Sequence, residues 1–276
     1  MSSSLPMIHA HAAGIDIGSE KIFVAVADQP VKNFTTFTSS LIEARQYLSA
    51  HGITTVAMEA TGVYWLALYD ILETAGMEVC LVNSAQLKYV PGRKSDVQDS
   101  QWLQQLHSHG LLRSSFIPTE EIRTLRSYVR LRQDHIQMGA AHIQHMQKAF
   151  DLMNIKLHTV ISQLVGVSGL RIIRAILEGE RDAEKLAELC DTQILKTKRH
   201  LVIESLRGHY KTEHLFARRQ ALELWEIYQQ KIKDCDKQIE VLLKTMSTEK
   251  PTPTITTKAK AIRHHKPDID DYMERF

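Results

Sequence analysis

The sequence has no apolar run long enough for a membrane span and only three cysteines. These two features argue against a membrane-spanning protein and against a fold stabilised by disulfides or zinc. A transmembrane helix needs about 20 consecutive apolar residues, and no uninterrupted run approaches that length. Cys80, Cys190 and Cys235 are far apart and form no CxxC pair, so neither a disulfide framework nor a zinc site is indicated. The N-terminus has no basic segment followed by an apolar one, so we expect no secretory signal and a reducing, cytoplasmic compartment.

Net charge is also small, but it is unevenly distributed along the chain. The whole sequence has a formal charge of +2. Residues 1–112 contain 6 Lys and Arg against 10 Asp and Glu, a net of −4, and the remainder contains 28 against 22, a net of +6. The basic half is either a solvated helical surface or a phosphate-contacting surface beside an acidic site. The charges alone do not separate these two interpretations.

The first 110 residues or so alternate between short apolar runs and helical stretches. Strands are predicted at residues 12–17, 21–28, 31–37, 54–59 and 78–82, and helices at 41–51, 63–75 and 95–109. The order βββαβαβα predicts an α/β domain in which helical crossovers bring later strands into the sheet. We place this domain at residues 1–115.

From Thr119 onwards the strand patterns give way to seven-residue repeats. Apolar residues fall at a positions at Ile122, Val129, Ile136, Ile143 and Phe150, and in a second set at Trp225, Ile232, Ile239 and Met246. The matching d positions are Leu125, Arg132, Gly139, Met146 and Met153, and in the second set Ala221, Tyr228, Cys235 and Leu242. The charge of Arg132 and the missing side chain of Gly139 weaken the first set. The pattern predicts two long helices within residues 116–250, separated by a helical insert at about 158–208. They form either an antiparallel hairpin or a dimerising coiled coil. Residues 251–276 are predicted to be a basic linker or tail.

Four acidic residues of the first domain are candidates for chemistry. Asp16 lies between two isoleucines in a predicted central strand, so alternation places it on the opposite face from them. A bare carboxylate is costly to bury there unless it is paired or metal-bound. Glu59 ends a strand, where open α/β sheets place their sites. Asp96 and Asp99 are three residues apart, on one face of a helix.

Converging carboxylates suit magnesium ions that promote phosphoryl transfer, because hard cations prefer oxygen ligands. Two of the four acids have local alternatives. Asp96 lies in the first turn of a helix that Ser95 can cap, and Glu59 could cap the helix that follows it. Asp16 is the hardest to explain in this way.

Three segments of this sequence together resemble the DEDD transposases of insertion-sequence family one-hundred-and-ten (IS110), relatives of the Piv-type DNA invertases. They are GIDIG at residues 14–18, MEATGVYW at 58–65 and KSDVQD at 94–99, and residues 166–182 resemble the family's middle region. The resemblance implies a RuvC-like domain of the RNase H-like, mixed-sheet fold, followed by a coiled-coil helical arm. It implies that Asp16, Glu59, Asp96 and Asp99 bind Mg²⁺ (or Mn²⁺) as the catalytic tetrad.

The resemblance also implies partners and a biological role. The expected reaction is site-specific excision and insertion of a mobile element in the cytoplasm of a bacterium or archaeon, at the nucleoid. The expected partners are DNA, a structured guide RNA, and other copies of the chain in a dimer or tetramer. Family members continue into a domain that supplies a nucleophilic serine, which this sequence does not reach by Phe276. We therefore expect that this chain alone does not complete recombination.

Several basic and aromatic residues are candidate nucleic-acid contacts, each with a structural alternative. They are Arg93 and Lys94 before the helical aspartates, Tyr64 and Trp65 after Glu59, and the stripe Arg123, Arg126 and Arg130. The alternatives are a basic loop, core packing of the two rings, and a solvated helix face. His142 and His145 are interpreted as a polar flank of the coiled coil.

Two other functions fit parts of the sequence. The segment GIDIGS at residues 14–19 also resembles the first phosphate loop of actin-like ATPases and sugar kinases. Those proteins need a second glycine-rich loop and an adenosine motif, which the helical second half does not offer. The non-enzymatic alternative is an inactive coiled-coil scaffold, which predicts unchanged behaviour when Asp16 or Glu59 is replaced with alanine.

Overall fold

A computed structural model describes residues 6–60, 62–83 and 95–247. The chain divides into two compact units, Met1–Ile117 and Pro118–Phe276. Two candidate nucleic-acid contacts, Arg93 and Lys94, and the predicted tail lie outside the described residues. Within the described ranges, none of the helices combines the length and apolar character needed to cross a membrane.

The first unit is built on a five-stranded mixed sheet. Its strands are β1 (Ala12–Ile17), β2 (Lys21–Val26), β3 (Lys32–Thr35), β4 (Thr55–Glu59) and β5 (Glu78–Val82), and its described helices are α1 (Thr38–Ala50), α2 (Trp65–Thr74) and α3 (Asp96–Ser108). The spatial order is β3-β2-β1-β4-β5. The first three strands are antiparallel, while β4 and β5 run parallel to β1. This is the predicted RNase H-like α/β arrangement, with β1 at the centre.

The two faces of the sheet carry different side chains, as strand alternation requires. Ile15, Ile17 and Met58 are buried on one face in a core that includes Leu48 of α1 and Leu72 of α2. The opposite face carries a smaller cluster formed by Ala57, Cys80, Val82 and Leu103 of α3. Asp16 alternates with the two isoleucines and therefore belongs to the α3 face.

The predicted beginning of α1 was wrong by a few residues. The helix begins at Thr38 with Phe37 as its N-cap residue, rather than at residue 41. The hydroxyl of Ser40 instead accepts a hydrogen bond from the backbone N–H of Thr35, at 3.1 Å. The serine therefore stabilises the connection from β3 into the helix, and the helix starts without a side-chain cap.

The second unit consists of two long helices and a smaller helical insert. The long helices are α4 (Glu120–Leu152) and α9 (Thr212–Ser247), and the insert contains α5 (Leu157–Val160), α6 (Val167–Glu178), α7 (Ala183–Ala187) and α8 (Thr192–Leu206). Arg132 of α4 contacts Asp236 of α9, and Met146 contacts Arg218. Contacts therefore move backwards along α9 as they move forwards along α4, so the pair is an antiparallel hairpin.

The heptad pattern predicted most, but not all, of the seam between α4 and α9. Ala221, Ile232, Cys235 and Ile239 are buried on α9 as predicted, and so are the d positions at Arg132, Gly139 and Met146 on α4. Val129, predicted at an a position, is 48% exposed. The buried charge of Arg132 is compensated across the hairpin, because its Nε donates to Oδ1 of Asp236 at 2.5 Å.

Candidate active site

Two of the four candidate acids lie side by side at the carboxyl ends of adjacent strands. The parallel register pairs Ile15 of β1 with Met58 of β4. Asp16 and Glu59 are the next residues on these two strands, which lie about 4.8 Å apart in a sheet. Residues at the same level of neighbouring strands share a face, so both carboxylates belong to the face that α3 covers.

A glycine on β1 allows α3 to lie directly on the sheet. A Cβ atom at Gly14 would be 2.2 Å from the backbone nitrogen of Gln104 and 2.3 Å from the carbonyl oxygen of Ser100. Both distances are far inside van der Waals contact, so any side chain at this position would separate helix and strand. Gly14 therefore fixes where α3 crosses β1.

A buried hydrogen bond fixes the direction of the same helix. Nε2 of His107 lies 2.8 Å from Oγ1 of Thr55, at the beginning of β4. Since Ser100 lies over Gly14, nearer the carboxyl ends of the strands, α3 runs antiparallel to β1. Its first turn, with Asp96 and Asp99, is thereby directed towards Asp16.

The first turn of α3 has its own capping interaction. Ser95 is the N-cap residue, and its hydroxyl accepts a hydrogen bond from the backbone N–H of Gln98 at 3.4 Å. The backbone N–H of Asp99 donates to the Ser95 carbonyl at 3.1 Å. The predicted cap at Ser95 is confirmed, so the helix start does not need the carboxylate of Asp96. Glu59 is not the cap of α2 either, because Tyr64 is the N-cap residue there.

The electrostatics of Asp16 reflect all three of the other acids. Burial raises the pKa of its carboxyl group to about 6, and the negative charges of Asp96, Asp99 and Glu59 add to the increase. The backbone N–H of Ile17 opposes it by donating a hydrogen bond. A carboxylate responds in this way only to charges that lie near it. The four acids selected from the sequence therefore lie around the same end of the sheet.

The donor chemistry of this cluster suits a hard divalent cation. Carboxylate oxygens are the ligands that Mg²⁺ and Mn²⁺ prefer, and a cation would relieve the repulsion that raises the pKa of Asp16. The distances between the side chains are less favourable than their chemistry. Among the residues that the structure describes, no three or more His, Cys, Asp or Glu side chains stand close enough together to hold a metal ion.

The aromatic pair after β4 divides into one packed ring and one accessible ring. Trp65 packs against the core of the first unit and meets the ring of Tyr69 edge-on, with ring centroids 5.7 Å apart. Tyr64 is 47% exposed. Of this pair, Tyr64 is therefore the accessible ring, and Trp65 packs in the core.

The basic stripe on α4 is also mixed. Arg123 is half-buried and donates a hydrogen bond from its Nη1 to the Pro118 carbonyl at 3.2 Å, which ties it to the helix start. Arg126 and Arg130 are exposed. The accessible positive charge of the predicted stripe is therefore concentrated on two of its three arginines.

Sequence reasoning missed His107, which is buried between α3 and the sheet. Its ring stacks on His9 with centroids 4.8 Å apart. Burial, with a smaller contribution from the nearby His9, lowers the pKa of His107 to about 4. The pattern that could have revealed it is its spacing of four residues from Leu103, which places both side chains on the face of α3 that meets the sheet.

We expect His107 to make the folded state sensitive to acid. Its pKa is depressed from about 6.5 in the unfolded chain to about 4 in the folded state. The stability it confers is therefore complete above pH 6.5 and is lost as the pH falls towards 4. The cost is about 1.4 kcal/mol per pH unit at most. Urea unfolding from pH 4 to 7 measures it as the difference between the parent protein and His107→Gln. A difference that does not change with pH would contradict the prediction.

An RNase H-like domain followed by a helical arm defines the structural class of this chain. A family model described as a transposase, the IS110-type DEDD transposase, matches residues 13–155. The match covers more than half of the chain and includes all four acids. The chain therefore belongs to the IS110 family of DEDD transposases. A search of curated proteins gave no match.

Proposed function

We propose that this chain acts in DNA strand cleavage and exchange during movement of an insertion sequence, with Asp16, Glu59, Asp96 and Asp99 as the ligands of Mg²⁺ or Mn²⁺. The observation that carries the proposal is the arrangement of the four acids: Asp16 and Glu59 end adjacent parallel strands, under the helix whose first turn contains Asp96 and Asp99. Membership of a transposase family supports the choice of DNA as substrate.

The scaffold supplies the positioning that this chemistry needs. When bound, a divalent ion activates the attacking oxygen and stabilises the leaving oxygen in phosphoryl transfer. Asp16 and Glu59 are held by the two most central parallel strands, and Asp96 and Asp99 by a helix anchored at Gly14 and at His107. Ligands on such rigid elements keep their geometry without reorganisation during the reaction.

The test of this function is metal binding and DNA cleavage by variants of one helical acid and one strand acid. We expect millimolar Mg²⁺ or Mn²⁺ to raise the melting temperature of the purified chain by a few degrees, because ligands of the folded state stabilise it. Asp99→Asn and Glu59→Gln should remove that shift. In a reaction reconstituted with the element's DNA, they should also lower strand cleavage by at least about 100-fold.

The matched control is Glu43→Gln, an exposed carboxylate on α1 that is remote in sequence from all four acids. It should retain both the metal-dependent shift and the cleavage rate. A shift that survives in Asp99→Asn, or is lost equally in Glu43→Gln, would remove the proposed metal centre.

The partners that we propose are nucleic acids and further copies of the chain. Exposed Arg126, Arg130 and Tyr64 support contact with DNA and a structured guide RNA, since arginines bind phosphates and rings stack on bases. Filter binding at several salt concentrations tests this contact. The logarithm of the binding constant should depend less steeply on the logarithm of the salt concentration in Arg126→Gln/Arg130→Gln than in the parent protein. The predicted failure of this chain alone to complete recombination stays a prediction.

The exposed apolar residues on α4 support association of the helical hairpins into a dimer or tetramer. Leu131 and Met138 are one heptad apart and are 46% and 49% exposed. Apolar side chains with this period on a helix surface favour packing against another helix. Sedimentation equilibrium of Leu131→Glu/Met138→Glu should show a smaller assembly than the parent chain.

A further inference from the structure

One side of the α4/α9 hairpin carries an open groove of about 500 Å³. Its apolar lining comes from Ala149 and Leu152 on α4 and from Ala217, Ala221 and Leu224 on α9. Leu152 and Leu224 are 55% and 42% exposed. An apolar trough between two helices is the usual seat of a third, amphipathic helix.

Apart from the neutral amide of Gln220, the polar side chains that line this groove are basic in type. They include the imidazoles of His142, His145 and His214 and the ammonium group of Lys148. Of the described residues that line the groove, none is acidic. The His142 ring stacks on Tyr228 with centroids 5.5 Å apart, and it meets the His145 ring edge-on at 5.7 Å. The groove therefore favours an occupant that is both apolar and anionic.

The sequence of the chain contains a segment with these two properties. Residues 268–276 read DIDDYMERF, with four acidic residues and one arginine. The apolar residues Ile269, Tyr272, Met273 and Phe276 follow the i, i+3, i+4, i+7 spacing of one helical face. Pro267 stands just before the segment, at a place where helices commonly begin.

Length and reach are compatible with docking inside one chain. A nine-residue helix is about 14 Å long, and the groove side from His142 to Leu152 spans about 15 Å at the helical rise. The α9 helix ends at Ser247, about 35 Å along its axis from Leu224. The 20 residues from 248 to 267 span up to about 66 Å when extended, so residues 268–276 can reach the groove.

A second copy of the same groove is a poorer occupant. Packing groove against groove would bring Lys148 of one chain towards Lys148 of another, with no acidic residue among the described lining residues to offset the two positive charges. Like charges placed opposite each other oppose association. Charge complementarity therefore favours the acidic segment over self-packing of this face.

We propose that residues 268–276 dock in the groove formed by His142, His145, Lys148, Leu152, Ala217 and Leu224 of the same chain. Docking covers the apolar trough and places the acidic side chains beside Lys148 and the histidines. This inference does not depend on the proposed metal centre.

Engineered disulfides in the full chain test the proposal. The native cysteines are all buried, so a pair such as Ala217→Cys with Met273→Cys reports on docking. Oxidation at low micromolar protein, followed by mass spectrometry, should give an intrachain disulfide. The matched control joins Met273→Cys to Glu223→Cys, which is exposed on the same helix but outside the groove. The groove pair should form at least tenfold faster than the control pair.

Charge exchange provides the second arm of the test. Lys148→Glu in the groove pair should slow disulfide formation by several-fold, and adding Asp271→Lys should restore the rate. Equal rates for the groove and control pairs would overturn the proposal. Disulfides that form only between chains would overturn it as well and would identify a second copy as the occupant.

Discussion

Replacing Asp16 with asparagine is expected to stabilise the metal-free protein and to abolish its response to magnesium. The pKa of Asp16 is raised to about 6 in the folded state, against about 3.9 in the unfolded chain. Folding therefore opposes ionisation of this group, and the penalty grows between these two values and is complete at pH 7. Asparagine has nearly the same shape but no charge, so it avoids the penalty.

The expected gain is smaller than the full pKa shift implies. A shift of two units corresponds to about 3 kcal/mol, but Asp16 is only partly buried, and solvent screens its interactions. We expect Asp16→Asn to raise the free energy of unfolding by about 1–2 kcal/mol at pH 7 in the presence of chelator. At pH 3.5 most of the gain should be lost, because the carboxyl group is then mostly protonated in both states.

In excess Mg²⁺ the same substitution should lower the free energy of unfolding relative to the parent protein. The parent protein is then stabilised by bound metal, and the variant is not. Urea unfolding with chelator and with excess Mg²⁺ gives the free energy of unfolding under both conditions. Glu43→Gln should change neither. If Asp16→Asn lowers the free energy of unfolding of the metal-free protein, the charge of Asp16 does not destabilise the folded state, and the prediction is wrong.

The sequence was sufficient to place Asp16 on a face of the sheet, but not to bring the four acids together. Alternation with two isoleucines decides the face, because burying Ile15 and Ile17 on one side leaves Asp16 on the other. The approach of Asp96 and Asp99 depends instead on where and in which direction α3 crosses β1. Gly14 and the His107–Thr55 hydrogen bond determine that crossing, and both involve residues more than 50 positions apart.

In the helical unit, local pattern predicted the helices but left their pairing open. Heptads are compatible with a hairpin or with a dimer, because the seam is the same in both. The charge of Arg132 looks like a defect in the seam until Asp236, 104 residues later, is seen beside it. Arg218 could not have been anticipated: it is fully buried over the Phe150 ring, and burial pushes its pKa well below the usual value.

Adding one methyl group at Gly14 is expected to cause the largest loss of stability of any change considered. The new Cβ would lie 2.2 Å from the backbone of Gln104 and 2.3 Å from that of Ser100. Backbone atoms cannot move aside as a flexible side chain can, so α3 must shift away from β1. We expect Gly14→Ala to lower the free energy of unfolding by about 3 kcal/mol or more, at the upper end of overpacking effects.

The shift of α3 should also have a functional consequence, because Asp96 and Asp99 move with the helix. We expect the melting temperature of Gly14→Ala to be the same with and without Mg²⁺, even though the variant is folded at low temperature. The matched control is Gly139→Ala on α4, whose new Cβ would meet its nearest neighbour, Cβ of Tyr228, at an ordinary 3.5 Å. Alanine favours a helix over glycine by about 1 kcal/mol, so the control should be neutral or slightly stabilising. Equal stability of the two variants in urea would show that the close contact between α3 and β1 does not hold the helix in place.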